Sequence, residues 1–448
     1  MKLKPYPKYK DSGVEWIGEI PEDWKIQRLK YLLASIESGS RERGGGNILD
    51  EGIFSLGGEH ITWDGKLKLE NLRFISEEHY NSMKNGKIRI KDVLLVKDGA
   101  TIGKTAIVNK MKYKKMAVNE HVFILRSNQK VLPELLYYIV SSHSVFSQIK
   151  LTESGSAQGG IKKDFASKVI VTIPEKIKEQ QKIVSFLNNK TSKIDLNIEK
   201  YNQFIELLKE KRAFLINHAV TKGLDPEIPM KDSGVEWIGE IPEEWKLRRL
   251  KYNASINPRG KKSLPDPQMK VNFLPMEKVS EDGDYDLESV NEYKNVSSGY
   301  TYFEDEDVLL AKITPCFENG KGALVENLKH GFGFGSTEFH VLRHGPHIYP
   351  KYLFFFTKTH LFRRIGKAFM KGAAGQKRVS TDFVKNFPMP TPPLTEQKLI
   401  VNYLDKETSK IDTIIKKIQQ NIKLLKEYKK SLIHHVVTGK VDVREVEL

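Results

Sequence analysis

The chain has 448 residues, a formal net charge of +16, a single cysteine (Cys316), and 39% hydrophobic and 29% charged residues. That length exceeds one ordinary core and implies at least two domains, and that charge asks for a polyanionic partner. One cysteine excludes an internal disulfide and a cysteine-built zinc site and suits a reducing cytosol, so a cytoplasmic location is expected. Residues 1–7 lack the apolar stretch of a signal peptide, and no run approaches the roughly 18 apolar residues of a membrane span, so no membrane partner is expected.

Taken in order, the chain is written twice. Residues 11–31 (DSGVEWIGEIPEDWKIQRLKY) return at 232–252 with 18 of 21 positions identical, at an offset of 221. Residues 179–195 (EQQKIVSFLNNKTSKID) return at 396–412 with ten of 17 identical, at an offset of 217. A duplicated domain of about 220 residues fits; a solenoid needs several short repeats. Two tryptophans and a proline in each copy of the first motif are expected to pin an extended segment against a core or helix. The chain closes on Val-Thr-Gly-Lys at 437–440, as the first copy closes on Val-Thr-Lys-Gly at 220–223, so the tail is expected near the start of the chain.

Between the shared segments lie variable modules, 32–174 and 253–391, that read as mixed α/β. Residues 88–96 and 117–125 look like strands, and 133–149 like one helix opened by Pro133, matched by 350–367. Small-residue loops carry basic or amide side chains in both copies. In the first they are 39–46 (Arg41, Arg43), 97–104 (Lys97, Thr101, Lys104) and 156–163 (Gln158, Lys162, Lys163). In the second they are 257–262 (Arg259, Lys261, Lys262), 312–315 (Lys312, Thr314) and 372–378 (Gln376, Lys377, Arg378). Glycine lets backbone approach a phosphate, Lys and Arg supply charge, and Arg or Gln can pair with base edges. These residues are the candidate DNA contacts, with base-reading and phosphate-gripping roles left unseparated.

Each copy then shows an apolar stripe at 3–4 spacing: Ile194, Ile198, Tyr201, Ile205, Leu208 and Leu215 in the first, and Ile411, Ile415, Ile418, Ile422, Leu425 and Leu432 in the second. This is a heptad seam held for about four repeats. Thr191-Ser192 and Thr408-Ser409 are the expected N-caps. A cation, Arg212 or Lys429, interrupts both stripes at the same place, where it costs stability unless it fixes register or sits at an exposed end.

Catalytic signatures are missing. The 99–105 stretch (GATIGKT) has three residues between its glycines where a phosphate-binding loop needs four. No HExxH motif, metal-ligand cluster, methyltransferase motif or glycine-rich cofactor loop is found, so neither a catalytic residue nor a metal site is assigned.

The paired motifs resemble the specificity subunit of type I restriction–modification systems. The resemblance rests on Gly-Glu-Ile-Pro-x-x-Trp at 18–24 and 239–245, the Pro…Glu-Gln-x-x-Ile-Val…Leu run at 174–187 and 393–404, and the Leu-Leu-Lys-Glu helix with its Val-Thr-Gly-like end at 207–223 and 424–440. It implies an α+β protein: two similar α/β target-recognition domains separated by two long helices packed as an antiparallel coiled coil, with a pseudo-twofold internal repeat. The domains would be 1–174, 175–222 (spacer helix), 223–391, and 392–448 (spacer helix and tail). It implies a non-catalytic subunit of a methyltransferase/endonuclease complex, each domain reading one half of a bipartite, asymmetric site in double-stranded DNA, with the helices setting the spacer. Two methyltransferase subunits and two motor–nuclease restriction subunits would be its partners, and S-adenosylmethionine, ATP and Mg²⁺ would belong to them. Two other classes remain open: a self-sufficient adenine methyltransferase or nuclease with degenerate motifs, and a coiled-coil scaffold that binds protein only.

Overall fold

The computed structural model describes residues 4–42, 51–152, 159–260, 266–373 and 375–446. The chain divides into two compact units, Met1–Tyr201 with Gln420–Leu448, and Asn202–Gln419. No described helix is long and apolar enough to cross a membrane.

In the first unit, strand Trp24–Arg28 pairs antiparallel with Ile170–Pro174, the strand that leads into the first long helix. The segment between them builds a four-stranded antiparallel sheet in the order Leu33–Ser38, Val122–Ser127, Val93–Val96, Thr105–Ile107. A second sheet joins Phe74–Ile75, Ile53–Leu56 and Met116–Val118. Every residue of Val93–Val96 is buried, which is why that strand reads as a continuous apolar run and not as an alternation.

The second unit follows the same plan. Lys246–Arg249 pairs with Pro388–Thr391. Its main sheet runs Ala254–Ile256, Phe339–His344, Val308–Ala311, Gly322–Leu324, and its other sheet runs Val290–Glu292, Lys270–Leu274, Phe332–Gly335, Thr301–Glu304.

Several expected elements are cut differently. The 88–96 stretch is strand only over Val93–Val96, because Lys91 has a φ of 72° and Asp92 accepts from the Arg89 amide at 2.8 Å, closing a turn. The 117–125 stretch divides into Met116–Val118 and Val122–Ser127, which join different sheets. Asn119 makes that break by accepting from the His121 amide at 2.9 Å. The expected single helices are pairs, Pro133–Ser141 with His143–Leu151 and Pro350–Thr357 with His360–Ala368. Ser142 and Thr359 cap the second member of each pair.

The long helices run Ile177–Lys222 and Leu394–Val437, beginning well before the expected caps. Thr191 and Thr408 are therefore helix-interior residues: Thr408 Oγ1 donates back to Leu404 O at 2.7 Å, and Thr191 Oγ1 meets Tyr138 Oη at 3.2 Å. Both helices end on a left-handed glycine, Gly223 (φ 81°) and Gly439 (φ 71°). The swapped Lys-Gly order is absorbed there. Lys222 Nζ donates to Glu240 O and Lys440 Nζ to Glu19 O, equivalent carbonyls of the repeated motif. In the first unit the tail also bridges the start, Lys4 to Asp442, as expected.

All stripe residues are sheltered. Ile194, Ile205, Leu208, Ile411, Ile418, Ile422 and Leu432 are buried, and Ile198, Tyr201, Leu215, Ile415 and Leu425 are half-buried. The interrupting cations are paired. In the first unit Lys429 Nζ reaches both carboxylate oxygens of Asp195 at 2.7 Å. In the second, Arg212 lies 3.3 Å from Asp412 and 3.5 Å from Asp282. Asp195 and Asp412 are equivalent positions of the repeat.

The foot of each long helix is held by the Glu-Gln pair of the repeated motif. Trp24 is 1% and Trp245 0% exposed, and each indole N–H donates to the glutamate, Glu179 at 2.9 Å and Glu396 at 3.0 Å. The partner tryptophans do not share this role: Trp16 is 52% exposed, and Trp237 packs on Phe387 with ring centroids 4.8 Å apart. Gln180 accepts from Leu132 N at 3.0 Å and donates to Lys130 O at 2.9 Å and Pro174 O at 3.0 Å. Gln397 does the same with Tyr349 N, His347 O and Pro392 O. Replacing Gln180 by Ala strands three backbone groups, so the Gln180→Ala variant should lose about 2–4 kcal/mol. A lowered denaturation midpoint and lost amide protection at Leu132 would report it; an unchanged Leu132 exchange rate would contradict it.

Candidate nucleic-acid interface

The expected loops come together at one end of the main sheet in each unit. In the first, the loop 97–104 leaves strand Val93–Val96 and lies against 159–161. Lys97 O accepts from Ile161 N at 2.9 Å, Gly99 N donates to Gly159 O at 3.2 Å, and Asp98 bridges Gly160. Gly39 N donates to Asn119 O at 3.2 Å, which brings Arg41 to 3.7 Å from Glu120. Lys162 and Lys163 are exposed, and Thr101 is half-buried. Lys104 Nζ stands 5.9 Å from the ring centroid of Trp63, itself 59% exposed. Arg43 and Gln158 lie outside the described residues.

In the second unit the equivalent loop follows strand Val308–Ala311. Lys312 O accepts from Val379 N at 2.9 Å, Thr314 N donates to Lys377 O at 2.9 Å, and Ile313 bridges Arg378. Asn257 joins the same end, its side chain accepting from Val341 N at 2.9 Å, and places Arg259 beside it in solvent. Gln376 and Lys377 are exposed. Lys261 and Lys262 lie outside the described residues.

Acidic partners are what the reading of the sequence missed. Lys97 Nζ is 2.5 Å from Asp98, whose other neighbour is His121 Nδ1 at 3.2 Å; His121 Nε2 is 3.3 Å from Glu120. Glu338 takes Arg378 through two bonds of 2.8 and 2.9 Å, and that guanidinium holds its carboxyl below the usual glutamate value. Glu120 and Glu338 stand just before matching strands, Val122–Ser127 and Phe339–His344, so their position in the repeat was the available signal. The net positive charge is therefore locally patterned: some cations are held by acids, while Lys162, Lys163, Arg259 and Lys377 face solvent. Free cations suit phosphates, and held, planar groups suit base edges.

His340 supports this end of the second unit from below. Its Nε2–H donates to Val379 O at 3.0 Å while Nδ1 accepts from Asn257 Nδ2 at 3.2 Å, a pattern that only the neutral ring satisfies. Burial pushes its pKa below the ordinary 6.5. The folded state then binds fewer protons than the unfolded chain, so this stability is present above the unfolded value and is lost as pH falls below it. The second unit should lose stability between about pH 7 and pH 5. Ring titration by NMR should give a His340 midpoint below the unfolded value, and a midpoint above it would contradict this assignment.

A profile of the family described as "Type I restriction modification DNA specificity domain" matches residues 21–206 and 242–424. The chain is 37% identical over 210 residues to the type I restriction enzyme EcoAI specificity subunit of Escherichia coli, a match covering 46% of this chain and 35% of that one. It is 36% identical over 215 residues to the EcoEI specificity subunit of Escherichia coli, covering 47% and 35%. These matches thus span about a third of the length of the two relatives. A putative type I restriction enzyme MjaX specificity subunit from Methanocaldococcus jannaschii is 24% identical over 463 residues, with 96% of both chains covered. A solved chain described under complex assembly and conformational transition of the type I R-M system has the same fold, with a TM-score of 0.68 at 15% identity, covering 94% of this chain and 99% of that one. With the family's domain matched twice over most of its length, the chain belongs to the type I restriction–modification DNA specificity family.

Proposed function

We propose that this chain is the DNA sequence-recognition subunit of a type I restriction–modification complex and carries no chemistry of its own. Each unit reads one half of a bipartite, asymmetric site in double-stranded DNA through the loop cluster at the end of its main sheet. One observation carries this reading: the two clusters share a backbone frame, Lys97 with Ile161 and Lys312 with Val379, yet present different side chains on it. One frame with two fillings is what two related readers of different targets need.

The long helices act as the spacer in this reading, packed as an antiparallel coiled coil about a pseudo-twofold axis. The matched pairs Asp195–Lys429 and Arg212–Asp412 support it, since a twofold operation exchanges one pair for the other. Two methyltransferase subunits dock on the helices and two motor–nuclease subunits join them. S-adenosylmethionine, ATP and Mg²⁺ belong to those partners, and the complex works on DNA in the cytoplasm.

Two measurements test this. A host expressing the chain with its methyltransferase should show adenine methylation at a split motif, and exchanging 253–391 for the same region of a relative should change one half alone. A continuous motif, indifferent to the exchange, would sink the reading. For the seam, Lys429→Met leaves Asp195 unpaired and should cost roughly 3 kcal/mol, whereas the double variant Asp195→Leu/Lys429→Met should recover most of it. Additive losses would mean the pair is not a coupled unit.

A further inference from the structure

We propose that Arg378 reads a guanine and that Glu338 is the positioning residue that aims it; the inference deepens the function proposed above and rests on it. Glu338 occupies one edge of the guanidinium, with Nε to Oε2 at 2.9 Å and Nη2 to Oε1 at 2.8 Å. The end-on edge, Nη1 with Nη2, is left to a ligand, apart from a long 3.3 Å bond from Nη1 to Gln376 O. Two parallel N–H groups on a planar edge match the O6 and N7 acceptors that guanine alone presents in the major groove.

The surroundings favour reading over gripping. An arginine meant for a phosphate gains nothing from a carboxylate beside it, which would repel the anion. An arginine meant for a base gains a fixed plane, because the pair removes rotamer freedom before binding. Glu338 is itself fixed: its amide donates to Ser336 Oγ at 3.2 Å and its carbonyl accepts from Lys312 N at 2.8 Å. The side chains stay reachable, 43% exposed for Arg378 and 25% for Glu338. The first unit supplies the contrast. Gly160 takes the place of Arg378 on the matching bridge, opposite Asp98, so the frame persists where the side chain does not. A position that varies on a retained frame is where two modules would differ in target.

The test uses the full chain assembled with its methyltransferase partner and short duplexes that carry the methylated motif, each with one base pair changed. The wild type should demand guanine at one position of the half that depends on 253–391. Arg378→Ala should cut discrimination there by roughly 5- to 150-fold and leave the other positions unchanged. Arg378→Lys, which keeps the charge and the Glu338 pair, should lose most of the same discrimination, and it decides the matter if the alanine variant does not assemble. Glu338→Gln should weaken discrimination at that one position while tightening binding to unrelated duplex. Equal weakening at every position, an unchanged guanine preference, or a half-site without a G·C pair would overturn the proposal. If exchanging 253–391 still moves the motif, such a result overturns this inference alone; a wild-type motif that is not split overturns the broader reading too.

Discussion

A Glu-Gln dipeptide at the foot of each long helix, its glutamine fully buried, is the constraint from which the rest follows. The glutamate takes the N–H of a fully buried tryptophan, and Gln180 bonds three backbone groups, two in the turn before Pro133 and one at the strand end Pro174. These bonds join three pieces of chain that are remote in sequence: the strand that opens the module, the turn before the helix begun by Pro133 or Pro350, and the long helix itself. Burial makes the arrangement strict, because each group left unpaired there costs about as much as a good hydrogen bond contributes. The strand pairings Trp24–Arg28 with Ile170–Pro174 and Lys246–Arg249 with Pro388–Thr391 then close each module as a loop on its helix.

Charge plays a second, different part in the helices. A lysine or arginine in an apolar stripe would be a defect if left alone, and here each has a carboxylate partner on the other long helix. The net worth of such a pair is modest, but separating its members is costly. In the second unit Asp282 joins the pair from the Asp-Gly turn beside the Val279–Tyr285 bridge, so the same cation also touches the α/β module. That contact ties the orientation of the module to the helix within one unit.

The loop ends show the same economy. Backbone bonds hold each cluster together, and the side chains on that frame differ between the two units. Acids sort the cations there: Lys97, Arg41 and Arg378 have carboxylate neighbours, whereas Lys162, Lys163, Arg259 and Lys377 face solvent. A sequence-wide excess of positive charge becomes, in this way, a surface with direction.

The sequence alone was enough for the duplicated plan, the apolar stripes, the two loop sets and the family, because each of these is a repeat or a periodicity and needs no partner to be seen. It also marked Trp24, Trp245, Glu179, Gln180, Glu396 and Gln397 as special by writing them twice, without saying what they bind. Tertiary structure decided the remainder. The caps expected at Thr191 and Thr408 proved to be helix-interior positions because both helices begin well before them; Thr408 bonds back to Leu404 O, and Thr191 meets Tyr138 Oη instead. The strand at 117–125 was cut by the Asn119 turn, since alternation over a few residues cannot tell one strand from two in different sheets. The acids that hold Lys97, Arg41 and Arg378 stayed hidden for the most general reason. Apart from the neighbour Asp98, they lie tens of residues away, and only the folded sheet brings opposite charges within hydrogen-bonding or ion-pairing range.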